Sequence, residues 1–482
     1  MALFSLPSEL KLNIIEHLDP LPTLQFALTN KEHSRLCKDT LREHAMFAKY
    51  SIIKPGEDGT FMWDFTKEIL QDPRKGWYVR ELNLIADRPN VNEDMSEDDR
   101  ALFTIAVQEL LPSYPQDTGF FAAEDGALRE LGDALDNSLA HGYEDAIIVI
   151  LLHHLPQLRI LRMTDTQGGD CLMIFMRRVA AGYQNPALAH KMPLQHLENV
   201  GVAHGDTEFT CSIDWAVYFM CIPSLRTLTA AMMGSEDVGG SSTDDDSENN
   251  AGSEAHLRNT VGAPVSNIEE LLFYECRFDT QSFNTILPMI KNLKRFCYHA
   301  GDCDISYEDY KPRAVINTLA NYASHSLQEL QLVDCEIGLK EAETDFPFVS
   351  VRDLSKLKAL RCETQWLQRS SKPSIGDGAP LSQGIYSAVK DPRDNLPGSL
   401  EYLYLDTGYE SENWAVLCNM FQENNANTPN LTLENVCLQS TIDNEGLMWI
   451  VGEPTVGKAV KPDVRFGTQH RDEMWKGLEL PY

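Results

Sequence analysis

The chain has 482 residues, with 41 Lys and Arg against 72 Asp and Glu, for a formal net charge of -31. A surplus of that sign excludes non-specific binding to nucleic acid or to an anionic membrane, since both require a basic surface. With 43% hydrophobic and 23% charged residues the composition is that of a folded protein, and the length predicts two to four domains, or one small domain and a long repetitive one.

The N-terminus has no basic region ahead of an apolar stretch, and the longest apolar run, Ala146 to Leu152, is too short to cross a membrane. An intracellular protein of cytoplasm or nucleus is therefore expected. Eleven cysteines, odd in number and without a C-x-x-C pair, predict neither a disulfide framework nor a zinc site.

Residues 1–50 come first and stand apart. They hold six acids and six bases, so the whole of the -31 belongs to the remainder, and that discontinuity marks a domain boundary. Leu6, Leu10, Ile14 and Leu18 recur every four residues with Ile15 alongside, which predicts a helix with one apolar stripe. Asp19-Pro20 ends it, and Pro22 can open a second short helix through Leu24 and Leu28. A third helix is predicted over Lys31 to Tyr50, with Leu36, Leu41, Ala45 and Ala48 on one face. Three helices of this length bury too little surface to stand alone, so a partner is expected to cover part of the apolar face.

Leu6-Pro7-Ser8-Glu9-Leu10, followed by Ile14-Ile15, Leu18, Leu24, Ala27-Leu28 and Leu36, resembles an F-box, the module that docks on the Skp adaptor of SCF-type cullin-RING ubiquitin ligases. Many F-boxes carry an aromatic in the third helix; this stretch reads Asn30 to Cys37 without one. The resemblance implies that Leu6, Pro7, Leu10, Ile14 and Leu18 form the adaptor-facing surface.

After a linker expected over 51–76, an irregular repeat begins. Ile268 to Phe278 and Leu327 to Ile337 both fit L-x-x-L-x-L-x-x-C-x-L, with Cys276 and Cys335 in the turn. Weaker copies lie at Val79-Leu82-Leu84, Leu158-Leu161-Met163, Leu194-Leu197, Leu225-Leu228, Leu293-Phe296-Tyr298, Leu357-Leu360 and Leu400-Leu403-Leu405. These runs resemble leucine-rich repeats, with units longer than the regular ones and helices predicted over Thr280 to Lys291 and Lys311 to Ala323. In such a repeat each unit exposes an apolar face that only stacking can cover.

The resemblances together imply an α+β chain. A small three-helix F-box precedes an irregular leucine-rich-repeat α/β solenoid over 77–440, and 441–482 forms a cap or tail. Residues between the strand leucines are expected on the open, concave face: Asn83, Arg162, Thr164, Tyr274, His299, Gln331, Arg361, Glu363, Tyr404 and Asp406. Of these Arg162, Tyr274, His299, Gln331, Arg361 and Tyr404 are the substrate-binding candidates. The implied function is that of a non-catalytic substrate receptor of an SCF ligase, with the Skp adaptor, the cullin-RING ligase and a protein target as partners. A repeat scaffold that binds proteins without directing ubiquitination fits the same residues.

Two acidic segments, Gly234 to His256 and Asn92 to Asp99, are expected to be solvated and disordered, the first offering Ser242 and Thr243 to an acidophilic kinase. Gly452 to Ala459 is one residue from a phosphate-binding loop, but Ala459 stands where Ser or Thr must hold magnesium, and Pro462 forbids the helix that should follow. His299, Asp302 and Asp304 resemble half of a phosphoesterase metal site without the second half. His153-His154 and His204 have no nucleophile or base around them in sequence, and neither a cofactor nor a catalytic residue is expected.

Overall fold

In the computed structural model the recurring apolar runs become strands of one sheet. The structure describes residues 6–18, 20–54, 61–84, 95–114, 131–165, 170–204, 210–235, 265–301, 311–334, 351–363, 396–406, 435–439 and 447–451. The strands are β1 Ile52–Ile53, β2 Glu81–Leu84, β3 Ile160–Thr164, β4 Asn199–Ala203, β5 Cys211–Ser212, β6 Thr227–Ala231 and β7 Met233–Gly234. After them come β8 Glu270–Cys276, β9 Arg295–Ala300, β10 Glu329–Asp334, β11 Ala359–Glu363, β12 Tyr402–Asp406, β13 Asn435–Gln439 and β14 Leu447–Val451. Twelve of them pair in chain order, all parallel except the antiparallel last pair β13 and β14, while β5 and β7 pair with each other. β1 and β14 are opposite edges, so the described sheet does not close.

Parallel neighbours require a crossover between strands. Several of the described crossovers carry helices. Before β2 they include α5 Phe61–Gln71 and α6 Arg74–Tyr78, and before β3 α7 Glu97–Leu110, α8 Leu131–His141 and α9 Glu144–His153. Later ones carry α10 Cys171–Gln184, α11 Asp214–Met220, α12 Thr280–Ile286 and α13 Pro312–Tyr322. The first, fourth and sixth residues of each apolar run form buried rows between sheet and helices, as with Val79, Leu82, Leu84, then Leu158, Leu161, Met163, and on to Leu327, Leu330, Leu332. They belong to one continuous core running from Ile53 to Leu403.

The second residue of each run sets the strand start. Its carbonyl accepts two amide protons from the next unit, as Arg80 O does from Arg159 N at 2.8 Å and Ile160 N at 3.0 Å. The same arrangement repeats at Ser51, Arg159, Glu198, Arg226, Glu269, Lys294, Gln328 and Lys358. Opposite charges stack along this row, with Lys294 to Glu269 at 2.6 Å and Lys358 to Glu401 at 3.3 Å, so part of the charge is used in lateral pairing between units.

Three expectations for the remainder of the chain change. The run expected at Leu194-Leu197 opens at Leu197, because Val200, not Leu197, pairs with Leu161 and Leu228; Leu194 sits in a left-handed turn at φ 63. Residues 51–76 are not a linker, since β1 joins the sheet and Met62, Trp63, Phe65 and Ile69 of α5 enter the main core. The end of the 92–99 acidic segment is not disordered: Ser96 caps α7 by accepting from Asp99 N at 3.1 Å, and Glu97, Asp98 and Asp99 form its first turn. Negative side chains are favoured there by the helix dipole. Most of the 234–256 segment and the loop 452–459 lie outside the described residues.

The N-terminal segment also differs from a three-helix reading. It holds four helices, α1 Ser8–Glu16, α2 Pro20–Ala27, α3 Lys31–Leu36 and α4 Lys38–Phe47, followed by a short 3-10 turn, Ala48–Tyr50. The expected third helix breaks at Cys37. Asn30 caps α3 by accepting from His33 N at 2.8 Å, and beyond the break the buried side chains are His44 and Phe47, whereas Ala45 and Ala48 are exposed.

Candidate functional site

Ile15, Ala27 and Cys37 close a small core in the N-terminal helices, with Phe26, Leu36 and Leu41 packed against it. Lys11 is buried on the same side of α1 and reaches Glu32 at 3.1 Å. His33 stacks on Phe26 at 4.0 Å and meets Thr29 Oγ1 at 2.7 Å. Because α1 turns Lys11 and Ile15 inward, Leu10, Leu12 and Ile14 are left outward, at 50%, 39% and 38% exposure. On α2 and in the turn just after it, the spacing of Leu21, Leu24 and Leu28 does the same, and they are 63%, 45% and 78% exposed. Six large apolar side chains on two consecutive helices and the turn after them are far more than scattered surface leucines and make this the first candidate interaction face.

Of the residues expected on the adaptor surface, Leu10, Ile14 and Pro7 are exposed, and Leu6 and Leu18 are half-buried. Leu12 and the α2 leucines were missing from that expectation. The three-four-residue spacing of Leu21, Leu24 and Leu28 was the available signal, but exposure cannot be read from periodicity alone.

The helices are held to the sheet portion at one junction. His44 of α4 is buried, with Nδ1 2.6 Å from Tyr78 Oη and Nε2 3.1 Å from Thr23 Oγ1. Tyr78 also lies 5.1 Å from the Phe47 ring, and burial pushes its hydroxyl up to about 12. Arg74 covers Phe47 at 5.3 Å and pairs with Glu43 at 3.1 Å.

The second candidate is the sheet face turned away from the core. Register places all ten expected residues there. Asn83, Arg162, Gln331, Arg361 and Tyr404 belong to one cross-strand row, which the pairing extends through Gly201, Thr229, Leu272 and Cys297. Thr164, Tyr274, His299, Glu363 and Asp406 occupy the row beyond it, with Ala203 and Ala231. Just after Tyr274 a bulge in β8, where Glu275 has φ 53, shifts the register against β9 so that Cys276 pairs with Ala300.

Contacts divide this face into two polar clusters. Near β2 and β3, Arg162 Nη1 donates to Glu81 Oε1 at 2.6 Å and to Asn83 Oδ1 at 3.0 Å. From β8 to β12, Tyr274 meets the His299 ring edge-on at 5.1 Å, Gln331 Nε2 lies 2.5 Å from His299 Nε2, and Arg361 lies over the Tyr404 ring at 4.6 Å. Tyr274, Gln331 and Tyr404 are themselves buried, so Arg162, His299 and Arg361 carry the more accessible part. Between the clusters Tyr274 packs with the small and apolar residues Ala203, Ala231, Leu272 and Cys297, and these four were passed over by sequence reading by polar type. Cys297 is pushed up to about 12 by burial, with nearby Arg295 and Arg361 opposing, so it is a packed thiol and not a nucleophile.

The arrangement offers binding surfaces. Among the described residues no group of three or more His, Cys, Asp and Glu could hold a metal ion, and no helix is long and apolar enough to cross a membrane. Asp302 and Asp304 lie outside the described residues; His153 is engaged by Tyr114 Oη at 2.7 Å. No family model matches the chain, and no curated protein matches it.

Proposed function

We propose that the chain is a substrate-recognition subunit of an SCF-type cullin-RING ubiquitin ligase, in which the N-terminal helices are an F-box and the sheet portion a leucine-rich-repeat solenoid. The observation that carries this reading is the cluster of Leu10, Leu12, Ile14, Leu21, Leu24 and Leu28, outward on α1 and α2 beside an L-P-x-E-L opening. Removing that much apolar surface from water on a partner supplies the driving force for docking. The parallel stacking in chain order supports the repeat reading, and the open face with its Arg162 and Tyr274-to-Tyr404 clusters is the target-binding side.

The mechanism is proximity. The chain makes and breaks no bond; it raises the effective concentration of a target lysine near the ubiquitin-loaded enzyme carried by the scaffold. The His44 to Tyr78 junction fixes the docking helices to the sheet, so that a bound target is held at a set distance. Co-purification with a Skp adaptor tests the reading: Leu10→Glu with Leu24→Glu is expected to abolish capture while leaving the thermal melt unchanged. Failure of the unaltered chain to bind the adaptor overturns it. Ubiquitination of captured partners in a reconstituted ligase then separates a receptor from a scaffold.

A further inference from the structure

We infer that the β1 edge of the sheet is a second binding site, taking an extended acidic peptide as an added strand. β1 pairs with β2 and with no other described strand. Ser51 O turns toward β2 and accepts from Arg80 N and Glu81 N. Since strand pairing on β2 uses every second residue, Ile52 presents its N–H and C=O to the outer side. Its side chain is 53% exposed, and such an unpaired edge is a template for another strand.

Beside the edge is a cavity of about 540 Å³ between β1, the 3-10 turn and α5. Its apolar wall is Tyr50, Ile53 and Phe65, enough to receive one side chain of an added strand. Its charges are not balanced. Asp64, at 2.9 Å, shares Lys67 with Asp99, at 3.2 Å, and Glu68 is paired by Lys75 at 2.9 Å and by the Tyr50 hydroxyl at 3.1 Å. Lys49 lies over the Tyr50 ring at 4.8 Å and is close enough to Glu68 to help hold its carboxyl down, after Lys75 and Tyr50, while neither it nor Lys54 makes a direct ion pair among the described residues. Two ammonium groups thus flank an open strand edge in a chain whose net charge is -31. Lysines here repel a basic strand and attract an acidic one, so the same charges that keep the edge from indiscriminate pairing select its occupant. This site is independent of the adaptor face on α1 and α2.

The test uses the full chain and a fluorescein-labelled octapeptide alternating valine and glutamate, followed by anisotropy. The acidic peptide is expected to bind at least about tenfold more tightly than its valine-lysine counterpart, and tighter by a similar factor than a version N-methylated at alternate residues, which keeps the charge but cannot pair. Lys49→Glu with Lys54→Glu should reverse the charge preference, and amide exchange at Ile52 should slow on binding to the unaltered protein. Equal binding of the N-methylated peptide, or displacement by a heparin fragment without Ile52 protection, would mean a mere charge patch and overturn the assignment. So would no binding of the acidic peptide by the unaltered chain.

Discussion

The N-terminal helices and the sheet portion solve burial in opposite ways. The first region closes on three buried apolar residues, Ile15, Ala27 and Cys37, and leaves Met46 of α4 and the six large ones of its first two helices and the turn after them outside. The second threads one core from Ile53 to Leu403. A stack of parallel units can bury every strand leucine because each unit is covered by its neighbours. Four short helices cannot, and a segment with so little core leans on the junction at His44. The contrast teaches where to look for function: in the small region the signal is exposed apolar surface, while in the large one it is the polar face of the sheet and its β1 edge.

The sharpest way to break that comparison is to damage the large core. Leu330 is fully buried between β9 and β11, and Leu330→Ala is expected to cost about 2–5 kcal/mol, through lost transfer energy and the cavity left behind. Denaturant unfolding should show the loss, and nearest-neighbour coupling should spread it to adjoining units first. A loss under about 1 kcal/mol would indicate a loosely packed stack and erase the contrast.

Acid should also act on the large region. His153 is pushed down to about 4 by burial, with His154 adding to the effect, and His154 is itself lowered by burial. A histidine whose folded pKa lies below its unfolded value of 6.5 favours folding above that value. The contribution is lost as pH falls from 6.5 toward 4, and for His153 alone it amounts to about 3 kcal/mol when complete. Melting temperature against pH should drop across that window, and His153→Gln should flatten part of the drop. An unchanged slope in the variant would assign the acid sensitivity elsewhere.

Much of the repeat was legible because its physics is periodic. The triplets at Val79, Leu158, Leu225, Ile268, Leu293, Leu327, Leu357 and Leu400 gave strand positions and even the correct face for all ten polar candidates, since side chains alternate along a strand. Leu194 misled because an apolar residue in a left-handed turn looks, in sequence, like the first strand leucine. Burial by tertiary contact was invisible. His33 and His44 fill interior positions that a pattern search assigns to leucine or alanine, and the break at Cys37 has no proline or glycine to announce it. The mixed run at 51–76 hid β1 and α5 for another reason: a two-residue strand is too short to show a period.

A smaller effect is expected where the two regions meet. Tyr78→Phe removes the hydroxyl that His44 Nδ1 contacts at 2.6 Å, and His44→Ala removes both bonds of the ring. Each breaks a buried hydrogen bond, at about 1–3 kcal/mol. The double variant should cost less than the sum, by about 0.5–3 kcal/mol, if the residues act as one contact. Strict additivity would mean that the helices are held by the apolar Phe47 contact and that His44 is incidental.

The smallest expected stability effect carries the most functional weight. Leu24→Ser and Leu28→Ser alter side chains that are 45% and 78% exposed and belong to neither core, so each should change unfolding free energy by no more than about 0.5 kcal/mol. Capture of the adaptor should nevertheless fall by about tenfold or more for the pair, because apolar area that no longer leaves water no longer drives association. The two readouts must separate for the comparison to hold. If stability falls along with binding, the leucines support the helices themselves, and the outward face of α1 and α2 is part of the small region's own packing.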